Sequence, residues 1–234
     1  MKTFHELFHE LQEGVYDPNI FKAFFLAGGP GSGKSYVASP FFQKLKTRRI
    51  TGGTGLKSVN SDEAFEHLMK KAGLSLKMPE RETEPRDVVF GRAKDITDAR
   101  LKKNYLEGRL GLVIDGTGAD ADLILKQKAG LEELGYDTYM IFVNTSLDVA
   151  LQRNAERPRS VPEPLVVKSW KDVQANIGKF SNMFRDGFIK LDNNDAGEDI
   201  FAEVWKRVKG LLRKKVQNIR AKNWIAMELA KKKR

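Results

Sequence analysis

Apolar residues recur along the chain in two rhythms. Residues 20–27 (IFKAFFLA), 55–60 (GLKSVN), 110–115 (LGLVID), 136–144 (YDTYMIFVN) and 187–192 (GFIKLD) are short runs rich in β-branched, aromatic and aliphatic side chains, the pattern of strands, mostly buried ones. Between them apolar positions fall three or four apart, which predicts helices over 35–46, 62–73, 87–108, 121–134, 146–156 and 164–184. A further amphipathic helix is predicted over 2–13, Ser61 is placed to cap the helix that follows it, and the polar stretch 74–86 reads as a loop. Strands that alternate with helices build βαβ units, so the expected fold is α/β: a doubly wound, five-stranded parallel sheet covered on both faces. Ligands of such sheets lie beyond the carboxyl ends of the strands.

With 234 residues, 41% of them hydrophobic, the chain can bury a sizeable core. It has no cysteine, which excludes a disulfide framework and a thiolate metal site and agrees with a reducing compartment. The opening MKTFHELFHELQEG has no apolar stretch or small-residue cleavage site, so it does not read as a signal peptide. No apolar run approaches the length of a membrane span, and a cytoplasmic location is expected. The net charge of +10 is concentrated: residues 206–234 hold 12 Lys or Arg and one acidic residue, a net of +11, so everything before them sums to −1. Three segments are expected: an N-terminal helix in 1–18, a domain over 19–212 and a separable basic tail over 213–234.

The candidate chemistry begins at residues 28–35, GGPGSGKS, which satisfy G-x-x-x-x-G-K-[ST] between a strand and a helix. Gly28, Gly29, Pro30, Gly31, Ser32, Gly33, Lys34 and Ser35 thus read as a P-loop, the cradle of a polyphosphate such as that of ATP. Glycine lets the backbone N–H groups turn inward around the phosphates. Lys34 would reach the β and γ phosphates, and the Ser35 hydroxyl would ligate Mg²⁺. Asp115 ends a strand expected beside the P-loop strand. It could hold the same Mg²⁺ or orient an acceptor, or it could be a turn aspartate before Gly116. A motor ATPase would follow this aspartate with a second acid to polarise water; Gly116 and Thr117 follow here, which favours transfer to a bound acceptor. Arg153 and Arg157, four apart before a proline-broken loop that carries Arg159 and Pro162, suit a lid over the transferring group, or else a solvated face with Asp148 and Glu156. Asp62 reads equally as a general base or as a first-turn acid.

The order AGGPGSGKS, VNSDEAF, LVIDGTG and then Arg153, Arg159 and Pro162 resembles the zeta toxins and related P-loop small-molecule kinases over roughly residues 21–192. That resemblance implies a kinase-type P-loop fold, Asp62 as general base, and Arg153 and Arg159 as the lid arginines. Zeta toxins phosphorylate the sugar of a UDP-N-acetylhexosamine and relatives act on other hydroxyls, so a small-molecule or nucleotide acceptor is implied, and an antitoxin becomes a conceivable partner. In place of VIDGTG the toxins have a glutamate-containing version. Two alternatives stand beside this kinase: a 5′-hydroxyl polynucleotide kinase, for which the basic tail speaks, and a nucleotide-dependent switch with slow hydrolysis.

Two remaining features pull elsewhere. Residues 5–9 formally match the zinc motif H-E-x-x-H, but the only other histidine is His67, and a helix packing Phe4, Leu7, Phe8 and Leu11 explains the spacing at less cost. Phe201, Val204, Trp205, Val208, Leu211 and Leu212 follow helical spacing and should pack on the sheet. The basic residues beyond, with Trp224, Ile225 and Met227 among them, would bind nucleic acid, an acidic partner or an anionic membrane, or form a solvated helix.

Overall fold

The computed structural model describes residues 14–42, 55–157, 160–195 and 198–232. The expected helix over 2–13 with its H-E-x-x-H match, the end of the first predicted helix, and Arg159 lie outside them. The strands are β1 (Lys22–Ala27), β2 (Lys57–Val59), β3 (Leu112–Asp115), β4 (Asp137–Asn144) and β5 (Phe188–Asp192). They form one sheet in the order β2-β3-β1-β4-β5 with every neighbour parallel. The P-loop strand is therefore central, and β3, which ends in Asp115, lies beside it with Leu26 opposite Asp115. The expected α/β fold with a five-stranded parallel sheet is present, with the glycine-rich loop at the carboxyl end of its central strand.

Helices cover the sheet: α1 (Lys34–Phe42), α2 (Asp62–Lys71), α3 (Thr83–Arg100), α4 (Ala121–Leu134), α5 (Leu147–Ala155), α6 (Glu163–Ala175), α7 (Ile177–Phe184), α8 (Glu198–Arg213) and α9 (Ile219–Lys232). The period of two in the strands decides what each helix meets. Ala23, Phe25 and Ala27 of β1, with Met140 and Phe142 of β4, share a core with α4, α7 and α9, while Phe24, Leu26, Ile141 and Val143 face α1 and α8. All six residues of β1 are buried, as a central strand covered on both faces requires. A smaller cluster of Phe65, Met69, Met78, Val89 and Ala93 joins α2 to α3 beyond the β2 edge.

Several elements differ from the sequence reading. Helix α3 starts at Thr83, inside the stretch read as loop, because Pro85 sits in the first turn, where its missing N–H has no intrahelical partner to lose. It passes into a π-helical turn over Leu101–Leu106. The single helix expected over 164–184 is two helices broken at Asn176, whose side chain donates to the carbonyls of Gly118 and Ala119 at 3.1 and 2.8 Å. Ser61 does not cap α2 through its side chain. Asn60 does that work, its Oδ1 accepting from the Asp62 N–H at 2.7 Å.

Residues 213–232 do not hang from the domain. Ala221 is fully buried, Trp224 packs edge-to-face on Phe21 with ring centroids 5.4 Å apart, and Val216 and Ile225 join the same core. Asp137, paired at 2.9 Å with the buried Lys22, also accepts from the N–H groups of Gln217 and Asn218, and Asn218 donates to the Glu132 carbonyl. Apolar residues at 216, 221, 224 and 225 continue the core past Leu212. Among the described residues, no helix is long and apolar enough to cross a membrane.

Candidate active site

The P-loop leaves the central strand and turns into α1 at Lys34. Gly31 and Gly33 have φ of 77° and 87°, which side-chain-bearing residues rarely adopt, and a Cβ there would strike the Ala150 carbonyl and the Asn193 amide respectively. The loop is thus gripped from outside by α5 and by the residue after β5. The Gly28 N–H donates to the Thr117 carbonyl at 2.8 Å, and the Gly116 N–H to the Leu26 carbonyl at 3.1 Å, so the turn after Asp115 is fastened to the same strand end. Inside, a hollow of about 130 Å³ is lined by Gly29, Gly31, Ser32, Gly33, Lys34, Ser35 and Arg157. The Lys34 ammonium donates to the Gly28 carbonyl at 2.5 Å. The turn geometry, the backbone cradle and a helix beginning at Lys34 fit a polyphosphate.

A second cavity, of about 340 Å³, opens beside it at the carboxyl edge of β1, β2 and β3, the position where ligands of such sheets sit. Lys34, Asp62 and Asp115 all line it, together with Asn60. Sequence reasoning had these two aspartates on separate strand ends; strand order brings them to one wall. Asn60 joins them: its Nδ2 donates to Asp115 Oδ2 at 2.9 Å while its Oδ1 receives the Asp62 N–H. The far wall comes from α3 and α4, with Phe90, Lys94, Asp98, Leu123 and Gln127. Phe90 is held edge-to-face against Phe65, and the Lys94 ammonium lies 5.0 Å above its ring.

On the other side of the P-loop, Arg153 of α5 and Arg157, two residues past its end, part company. The Arg153 guanidinium is engaged by the loop after β5, donating to the carbonyls of Asn193 and Asn194 at 2.7 and 2.9 Å. Asn193 in turn donates to the Ser32 carbonyl at 2.8 Å, so Arg153 reaches the P-loop through this buried asparagine. Arg157 is the arginine that lines the hollow inside the loop. The Asn154 side chain exchanges two hydrogen bonds with the Val161 backbone, at 2.8 and 3.0 Å.

The reading of residues missed Asn60, Asn154 and Asn193. Each looks like an ordinary turn or helix-end asparagine, and only Asn60, directly before the Ser61-Asp62 helix start, gave a local hint. Ser35, on the first turn of α1, and Asp115 are the residues at this edge that could share a divalent cation with bound phosphates. Among the described residues there is no group of three or more His, Asp or Glu placed to hold a metal ion by itself.

A family model described as an AAA domain matches residues 24–179, from β1 through the P-loop, both cavities and α5 into α7. None of the curated proteins matches the sequence. Among solved structures, a chain of the AvrRxo1-ORF1:AvrRxo1-ORF2 complex with sulphate ions superposes with a TM-score of 0.54 at 15% identity, covering 91% of this chain and 74% of that one. Shikimate kinase from Acinetobacter baumannii in complex with shikimate gives a TM-score of 0.45 at 16% identity, over 87% of this chain and 99% of that one. A putative kinase from Chloroflexus aurantiacus gives 0.47 at 14% identity, over 82% and 98%. At these identities the likeness is one of fold.

Proposed function

The chain belongs to the AAA domain family, and from its site we propose that it is an ATP-dependent phosphotransferase that moves the γ-phosphoryl group of ATP to a hydroxyl of a small molecule or nucleotide. The carrying observation is the cavity of about 340 Å³ whose wall joins Lys34 of the P-loop to Asp62 and Asp115. A hydrolase needs room for one water molecule; this space suits an organic acceptor.

The backbone N–H groups from Gly28 to Ser35 and the amino end of α1 would bind the polyphosphate, with Lys34 and Arg157 supplying positive charge. Mg²⁺ would be held by Ser35 and Asp115, and when bound it neutralises phosphate charge. Asn60 keeps the Asp115 carboxylate turned to the cavity. As the acceptor oxygen bonds to the γ-phosphorus, its proton passes to Asp62, and the bond from the γ-phosphorus to the β–γ bridging oxygen breaks to release ADP. Arg153 acts through Asn193 on the shape of the P-loop, and Arg159 remains a proposed lid residue.

Within this activity we place the enzyme with the zeta toxin-like kinases, on the order of its motif blocks, which leaves a nucleotide-linked sugar among the acceptors to try and an antitoxin among the partners. The polynucleotide kinase reading loses its main support, because the basic residues 213–215 border a cleft with Lys22 at the start of β1, the edge opposite the P-loop. The test is transfer of labelled phosphate from ATP to a panel of UDP-sugars, nucleosides, nucleotides, amino-alcohols and 5′-hydroxyl oligonucleotides. Transfer to one acceptor class, abolished by Lys34→Ala in a protein that still folds, is expected. A panel in which nothing stimulates ATP turnover would instead make the protein a nucleotide-dependent switch.

A further inference from the structure

Between Val204 and Met227 the sequence has eight Lys or Arg and no Asp or Glu. Read from sequence alone, this is a charged tail. The packing of α9 changes its meaning, since the segment that carries the charge is pinned on both sides: Val204, Val208 and Leu211 of α8 are buried under the sheet, and Gln217, Asn218 and Ala221 fasten the start of α9. The cations between are therefore presented in fixed order.

Lys206, Lys209 and Arg213 follow at three- and four-residue spacing, so they form one stripe along the exposed side of α8. Arg213, Lys214 and Lys215 then line a cleft of about 400 Å³ whose opposite wall is Pro18, Asn19 and Ile20. All five side chains are exposed, and among the described residues none of them is held by an ion pair. The cleft also includes Lys22, at the start of β1. That strand separates it from the P-loop by roughly 20 Å at about 3.3 Å per residue.

We propose that this edge, from the stripe on α8 into the cleft, is a docking surface for the phosphate backbone of a nucleic acid strand, separate from the phosphotransfer site. A line of uncompensated cations matches a line of phosphates and gains affinity by releasing their counterions. An anionic membrane is the less suitable occupant, because residues 202–215 include none of the large exposed apolar side chains that would enter a bilayer interface. The surface reads no bases, so binding is sequence-independent.

The experiment is fluorescence anisotropy with a labelled mixed-sequence oligonucleotide of about 20 nucleotides, single-stranded and as duplex, across a KCl series. Five phosphate contacts predict a slope of log K against log salt of about −3.5 for the single strand and −4.5 for the duplex. The fivefold variant Lys206→Gln, Lys209→Gln, Arg213→Gln, Lys214→Gln, Lys215→Gln should lose at least about tenfold in affinity at low salt with its melting temperature and nucleotide binding retained, and the pair Lys206→Gln, Lys209→Gln should lower the slope by about two contacts' worth. Absence of binding by the wild type at low salt, equal binding by the fivefold variant, or sedimentation with phosphatidylserine vesicles in place of oligonucleotide binding would each overturn the proposal.

Discussion

Asp62 and Asp115 line one cavity, yet they should fail in different ways. The start of α2 is held by the Asn60 carbonyl on the Asp62 N–H, so Asp62→Asn keeps the helix start and removes only the carboxylate. Loss of a general base costs about 10² to 10⁴ in rate, roughly 3 to 5 kcal/mol at the transition state, with ATP affinity nearly unchanged. Asp115→Asn removes the carboxylate that receives the Asn60 amide at 2.9 Å, and should raise the Mg²⁺ concentration needed for half-maximal transfer. Single-turnover transfer at saturating ATP, with Mg²⁺ titrated for each variant, separates the two. If Asp62→Asn transfers within a few-fold of wild type, Asp62 is a helix-start acid and nothing more. At this scale the P-loop was wholly legible, because the need for glycine at 31 and 33 is a matter of local backbone angle. Asn60 was not, since its partner lies 55 positions away.

Elements follow the same division. The five strands and most helices could be read from periodicity, which reflects the face each element buries. The start of α3 at Thr83 and the break at Asn176 could not: a proline is harmless in a first turn, and the break coincides with bonds from Asn176 to carbonyls of a distant loop. The last element, α9, carries a testable consequence. Its inner face of Ala221, Trp224 and Ile225 covers Phe21, so removing residues 213–234 should destabilise the domain and not merely discharge it. Trp224→Ala alone should cost roughly 2 to 3 kcal/mol, less than the 3 to 5 typical of a fully buried aromatic because Trp224 is half-buried. Urea unfolding measures both changes; a truncated protein with wild-type stability would mean that α9 rests on the domain without holding it.

At the scale of the whole molecule, the core buries two tyrosines, Tyr136 and Tyr139. Burial pushes the Tyr136 hydroxyl well above the ordinary tyrosine value, with Asp17 adding to the shift and Arg109 opposing it, and burial followed by the Asp137 charge does the same for Tyr139. The Tyr136 hydroxyl donates to the Leu110 carbonyl at 3.0 Å. An acid whose folded pKa is raised stabilises fully below the unfolded value, and that stability is lost as the unfolded chain releases its proton first. Stability should therefore fall as pH rises above about 10, and Tyr136→Phe with Tyr139→Phe should flatten that fall. Urea midpoints taken on both sides of that pH decide it; equal slopes in the double variant and wild type would assign the alkaline loss to other groups. What the sequence by itself determined was everything written in local terms: the P-loop, the alternation of strands and helices, the parallel sheet and the excess of cations after residue 205. Tertiary structure alone decided the rest. Strand order set Asp62, Asp115 and Lys34 around one cavity, the loop after β5 engaged Arg153 and left Arg157 lining the hollow inside the P-loop, and the docking of α9 turned a tail into a packed face. Backbone angles and burial period depend on neighbours along the chain, whereas these juxtapositions depend on which strand ends lie side by side, which no local pattern encodes.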